Sequence, residues 1–228
     1  MLQALLQLFY PHVCEGCGRE LSSTEKILCI RCDLQLPLTG FHKTAENPAE
    51  RMFWGRVPMQ RVSAGYFFYH QGILQKLVHA FKYKKRSDIA IFLGRRLGFQ
   101  LKESGWAKDV TALAPVPLHA MKQRHRGYNQ AALLAEGMAE VLGCRVWPHA
   151  LVRNAFTETQ TRKSRIDRWA NVENMFAWKT GRLEGPAHIL LVDDVMTTGA
   201  TLEACAHAVL QAGEAVRVSA CALACAAR

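Results

Sequence analysis

No apolar run among the 228 residues approaches the roughly twenty that carry a helix across a bilayer, so no membrane span is expected. The opening residues, MLQALLQLFYPHV, lack a basic region ahead of their short apolar stretch. They do not read as a signal peptide, and a cytoplasmic protein is expected. Leu2, Leu5, Leu6 and Phe9 instead suit a short amphipathic helix packing on the body. There is no low-complexity tract and no internal repeat. No G-x-x-x-x-G-K-[ST] occurs, which argues against a Walker-type NTPase. No alternating Asp/Asn ligands occur, which argues against an EF-hand.

Acid is scarce where base is dense. The chain carries 29 Lys and Arg against 19 Asp and Glu, a formal net charge of +10. Residues 76–126 hold 12 basic and 3 acidic residues, so nearly the whole excess lies in one central segment. That concentration suits a polyanion, pyrophosphate or nucleic acid, better than general solubility. Half the residues are hydrophobic, enough for a sizeable core, and one domain with a small appendage is expected.

The eight cysteines divide into two groups. Cys14-x-x-Cys17 and Cys29-x-x-Cys32 are two knuckles separated by eleven residues. Together they can form a tetrahedral four-thiolate site suited to structural Zn²⁺. A redox CxxC or a pair of disulfides is the alternative, disfavoured without an export signal. Cys144, Cys205, Cys221 and Cys225 lie among Ala, Leu and Val and read as small buried hydrophobes.

The most informative stretch is Ile189 to Glu203, ILLVDDVMTTGATLE. Four apolar residues suit a strand covered on both faces. Asp193 and Asp194 then place two carboxylates at its carboxyl end, where open α/β sheets build ligand crevices. Small and hydroxyl residues follow and open a helix, whose free backbone N–H groups and dipole favour a phosphate. Adjacent carboxylates can accept hydrogen bonds from a sugar diol or hold a divalent cation. The bland alternative is a strand–loop–helix connection with solvated acids.

Four apolar residues, two acids and TTGAT resemble the phosphoribosyl-pyrophosphate loop of type I phosphoribosyltransferases. The resemblance implies that Asp193 and Asp194 contact the ribose hydroxyls. It implies that the loop of Val195, Met196, Thr197, Thr198, Gly199, Ala200 and Thr201 cradles the 5′-phosphate, with Mg²⁺ accompanying the ligand.

Elsewhere, residues 1–38 are expected to form the N-terminal start and the zinc module, and residues 39–60 a linker or irregular cover. Residues 61–228 are expected to form the main domain. Val62–Tyr69 reads as a strand, and Ile73, Leu74, Leu77, Val78 and Phe81 as one helical face. That helix runs into Lys82-Tyr83-Lys84-Lys85-Arg86. The cluster either complements the helix dipole or contacts nucleic-acid phosphates, with Tyr83 free to stack on a base. Ile89, Phe92, Leu93, Leu97 and Leu101 mark a second helix, and Val110–Val116 a core strand ending in Pro115-Val116-Pro117. Lys122, Arg124 and Arg126 then crowd a loop before a helix starting near Asn129. The loop is either a solvated basic surface or a pyrophosphate contact, and Asn129 either a helix cap or a ligand contact with Gln130 beside it. Residues 151–178 read as a covering loop.

The PVP segment followed by Arg126-Gly127-Tyr128-Asn129-Gln130 resembles the ComF family of competence and DNA-utilisation proteins. In that family these residues stand where type I transferases keep their pyrophosphate loop. Gln160, Arg168, Asn171 and Phe176 match family positions as well. The resemblance implies a type I phosphoribosyltransferase-like parallel sheet flanked by helices, with an N-terminal four-cysteine zinc-finger module. It implies a phosphoribosyl ligand, with single-stranded DNA and competence-machinery proteins as further partners. A non-catalytic phosphoribosyl or nucleic-acid binding module and a nucleobase salvage transferase are the alternatives.

Overall fold

The strands at the centre of the molecule are apolar on both faces, and that dictates helices on both sides of the sheet. In β6 below, Leu190 and Val192 face one core while Ile189 and Leu191 face the other. The structure, a computed structural model, describes residues 12–154 and 175–226. The expected N-terminal amphipathic helix, and Gln160, Arg168 and Asn171, lie outside the described residues.

In chain order the elements are α1 (Ile30–Leu34), α2 (Pro48–Arg51), β1 (Val62–Phe68), α3 (Ile73–Tyr83) and α4 (Ser87–Ser104). Then come β2 (Ala112–Pro115), α5 (Ala120–Arg126), α6 (Gln130–Leu142), β3 (Arg145–Val146), β4 (Leu151–Arg153) and β5 (Phe176–Trp178). The chain closes with β6 (Ala187–Met196), α7 (Ala200–Leu210) and β7 (Val216–Ala226). Five strands form one parallel sheet in the order β1-β7-β6-β2-β3. The antiparallel β4–β5 pair stands apart, with Leu151 and Phe176 buried against the α7 side.

One face of the sheet carries α3, α4 and α6, together with the cysteine module. The other carries α2 and α7. Helices α4 and α6 approach closely because glycines face each other's backbone. A Cβ at Gly94 would lie 2.2 Å from the Leu134 carbonyl oxygen, and one at Gly137 2.2 Å from that of Ile91. Any larger residue would push the two helices apart and open both to water.

Segment 39–60 is built rather than slack. Buried Asn47 caps α2, accepting from the N–H groups of Ala49 and Glu50. Its amide also donates to the carbonyls of Phe41, Thr44 and Val62, so one side chain fixes the segment to the start of β1.

The strand order sets the functional end. From β2 the chain moves outward to β3, and from β6 it moves the other way to β7. The order therefore reverses between neighbours β2 and β6, and the carboxyl ends of that pair border the crevice where open sheets take ligands.

Candidate functional site

Two segments meet at this switch point. On β6, Val192 is buried and the next two residues are Asp193 and Asp194, both partly exposed. On β2, Pro115 pairs with Val192, and the N–H of Val116 donates to the Val192 carbonyl at 2.9 Å. Proline ends the ladder there and turns the chain outward.

Burial, then the charge of Asp194, push the Asp193 carboxyl up to about 7; the Asp194 N–H and Lys82 act the other way. Lys82, in the last turn of α3, places its ammonium 2.6 Å from Asp194 Oδ2, with side-chain exposures of 17% and 20%. The acid pair thus already holds a cation, the group its field favours.

After the acids the chain turns at Gly199, which takes φ +76° and starts α7. A Cβ there would lie 2.7 Å from the Phe53 ring. Behind the loop, Arg56 donates to both carboxylate oxygens of buried Glu203, Nε at 3.2 Å from Oε1. It also donates to the Thr198 carbonyl at 3.2 Å and the Met52 carbonyl at 2.9 Å. The cover segment therefore clamps the loop through Phe53 and Arg56, which sequence reading missed. A cavity of about 250 Å³ lies beside the clamp, lined mainly by Phe41, Met52, Phe67 and Met196, with Thr197 at its rim. Gly199→Ala is expected to cost about 1–3 kcal/mol, from the positive φ and the Phe53 overlap together. A urea titration checks this, and a variant as stable as the parent would contradict the clamp.

The basic side chains from Lys82 to Arg86 point to different surroundings. Lys82 is turned into the crevice, and Arg86 is bound to Glu15 of the cysteine module and to Asp88. Tyr83 stays exposed, while Lys84 and Lys85 follow it at the surface. Residues 120–126, expected as a loop, are the helix α5, capped by the His119 side chain and ended by Gly127 at φ +84°. Within it Arg124 is exposed. Arg126 lies over the Tyr83 ring, 5.4 Å from its centroid, and bonds Gln130 Oε1 at 2.9 Å. Gln130 is buried, and its amide donates to the Tyr128 carbonyl. Asn129 caps α6 and donates to the Val116 carbonyl at 2.9 Å. So Asn129 braces the turn at Val116, Gln130 holds Arg126 and the Tyr128 carbonyl, and Arg126 ties this segment to α3.

The four cysteines expected to bind metal converge. Their sulfurs all lie within 4.8 Å of one another, and those of Cys17 and Cys29 are 3.8 Å apart. A tetrahedron with metal–sulfur bonds of ~2.3 Å has edges of about 3.8 Å. Burial opposes ionisation of Cys14, but the N–H groups of Cys29, Cys17 and Gly16 outweigh it and bring the thiol down to about 6. Burial and the neighbouring sulfurs push Cys32 the other way. Four adjacent sulfurs become thiolates together only around a cation, so the donor set fits a bound metal ion.

A second constellation has a different meaning. Ser219 Oγ lies 2.8 Å from His188 Nε2, and His188 Nδ1 lies 3.1 Å from Asp109. The order mimics a hydrolytic triad, but Ser219 is wholly buried and the group sits toward the amino ends of the strands. Burial also drives His188 down toward the neutral form. The trio pins β6 and β7 to the entry of β2.

The DNA utilization protein YhgH of Escherichia coli K12 is 34% identical over 219 residues, 92% of this chain and 89% of that protein. The chain belongs to the ComF family. Competence protein F of Haemophilus influenzae is 29% identical, covering 83% of this chain and 80% of that one. ComFC of Bacillus subtilis, a competence protein, is 39% identical over 107 residues, 47% of this chain and 41% of that one. No protein-family model matches. Among solved structures, adenine phosphoribosyltransferase from Leishmania tarentolae is similar at 10% identity and a TM-score of 0.38, covering 83% of this chain and 94% of that one. A likeness so distant carries no argument about the site. The fold class expected of a ComF member is present: a parallel sheet flanked by helices, with four cysteines gathered in an N-terminal module. Among the described residues, no helix is long and apolar enough to cross a membrane.

Proposed function

We propose that this ComF-family protein binds phosphoribosyl pyrophosphate with Mg²⁺ at the carboxyl end of β6 and serves DNA utilisation or uptake in the cytoplasm. One observation carries the reading. An acid pair at the switch point is followed at once by a clamped, left-handed glycine turn that opens a helix. Asp193 and Asp194 accept the ribose hydroxyls, and Thr197–Thr201 with the N-terminus of α7 take the 5′-phosphate. The divalent cation neutralises pyrophosphate charge when bound. Arg124, exposed on α5, and the turn from Pro115 to Pro117 are the groups assigned to the pyrophosphate. Whether the ribose is then transferred to a base is a separate matter; orientation and charge stabilisation are what these residues supply. The cysteine module holds Zn²⁺ in a structural role.

Tyr83, Lys84 and Lys85 favour a second contact, with single-stranded DNA, because they leave an exposed ring among exposed cations. Calorimetry of the whole chain tests both parts. Phosphoribosyl pyrophosphate with Mg²⁺ is expected to bind in the micromolar range, and absence of heat would remove the ligand assignment. Oligothymidine is expected to bind less tightly as salt rises and after Lys84→Glu with Lys85→Glu; indifference to both would remove the DNA assignment.

A further inference from the structure

Of the described basic side chains around the crevice, most are spent on structure. Arg56 holds Glu203 and two carbonyls, Arg86 holds Glu15 and Asp88, and Arg126 holds Gln130. Lys82 differs, because its partner is one of the two acids that face the ligand. We infer that Lys82 is the specificity-determining residue of the crevice. It guards Asp194 against sugars that lack a pyrophosphate, and yields it to ligands that carry one.

This role for Lys82 depends on the ligand reading above and on simple competition. A ribose diol that bonds Asp194 must displace an ammonium 2.6 Å away. It replaces an ion pair with a hydrogen bond from an uncharged hydroxyl, and the displaced ammonium loses its counter-charge. The pair is largely sheltered from water, so the loss is not screened as it would be at an open surface. Ribose 5-phosphate offers its anion to the loop at Thr197–Thr201 and nothing to the freed ammonium. Phosphoribosyl pyrophosphate brings a second cluster of phosphate oxygens at the other end of the sugar. The lysine stem has four carbons and rotatable bonds, so its ammonium can leave the carboxylate for those oxygens while α3 stays in place. Its position in the last turn of α3 suits a cation in either location. The exchange keeps the ammonium paired before and after binding, but only for the pyrophosphate-bearing ligand.

Calorimetric titrations of the whole chain, wild type and Lys82→Met, test this with three probes. They are phosphoribosyl pyrophosphate, ribose 5-phosphate and inorganic pyrophosphate, each with Mg²⁺. In the variant, phosphoribosyl pyrophosphate and pyrophosphate are expected to bind at least tenfold more weakly. Ribose 5-phosphate is expected to bind no more weakly, so the selectivity ratio collapses by tenfold or more. Lys82→Arg keeps the charge and is expected to restore part of the ratio. If Lys82→Met loses both sugars equally, Lys82 is only a structural support and the inference falls. The same holds if the ratio is unchanged. If wild type binds none of the probes, the ligand reading itself falls. A wild type that binds them with no effect of Lys82 removes this inference alone. Circular dichroism and metal content of each variant separate misfolding from lost selectivity.

Discussion

Cys29→Ser is expected to strip the bound metal and lower the thermal midpoint by roughly 10 °C or more. Cys29 is buried, and its N–H donates to the Cys14 sulfur at 3.2 Å, so its loss opens the cluster from the inside. Structural zinc supplies about 10–16 kcal/mol in isolated finger peptides. Even a third of that, about 4 kcal/mol, shifts the midpoint of a chain this size by about 8–16 °C. The module transmits the loss because it is part of the main core. Cys14, Leu21, Ile27, Leu28 and Leu36 are buried in the same cluster as Leu74, Leu77 and Phe81 of α3. Polar ties join them as well: Lys76 to the Gly16 carbonyl, Arg86 to Glu15 and Arg96 to Asp33. Metal analysis should return close to one Zn per chain for wild type, with a strong chelator reproducing the melting change. A wild-type protein that is metal-free and fully folded would overturn the zinc assignment.

Local features of the sequence carried through to the structure, and long-range pairings did not. The two CxxC knuckles need only short loops to meet, so their spacing announced the cluster. The acids lie near the carboxyl end of β6 and the Thr/Gly turn follows that strand, so one contiguous stretch describes that part of the candidate site. The periodic apolar positions from Ile73 to Phe81 and from Ile89 to Leu101 gave two helices for the same reason. The cover was harder, because its apolar residues have no period and its partners are remote. Arg56 meets Glu203 across 147 residues of chain, and Phe53 meets Gly199. The basic run from Lys82 to Arg86 reads as a single surface in one dimension. In three, its two end residues find carboxylates on β6 and on the cysteine module, which no local pattern reveals. The helix α5 is only seven residues long and carries three basic residues in its last turn. Its existence depends on the His119 cap and the Gly127 stop more than on any apolar face.

Asp193→Asn is expected to make the protein more stable at pH 8 and unable to hold the phosphoribosyl ligand. Burial and the neighbouring Asp194 charge put the folded-state pKa of Asp193 at about 7, against an ordinary 3.8. Between those values the folded chain keeps a proton that the unfolded chain has released. Stability therefore falls as pH rises from about 4 to about 7, and the whole cost is present above 7. Three units correspond to an upper bound of about 4 kcal/mol. Solvent reaching the partly exposed carboxylate screens some of this, so about 2 kcal/mol, or ~4–8 °C, is the expected gain for asparagine. The gain should vanish toward pH 4, where Asp193 is protonated in both states. Ligand affinity should move the other way, by about a hundredfold, as a charge-assisted acceptor becomes a neutral amide. Melting curves at pH 8 and pH 4.5, paired with calorimetry at pH 8, measure both effects. A variant less stable than wild type at pH 8 would show that Asp193 is a structural residue. Unchanged ligand binding would show that the acid is retained for something else. Gain and loss together are the mark of a charge kept at a cost to the fold for the sake of what it binds. Asp194→Asn makes the contrast: it removes the partner of Lys82 and relieves Asp193, so its effect on stability should be smaller while its effect on binding remains large.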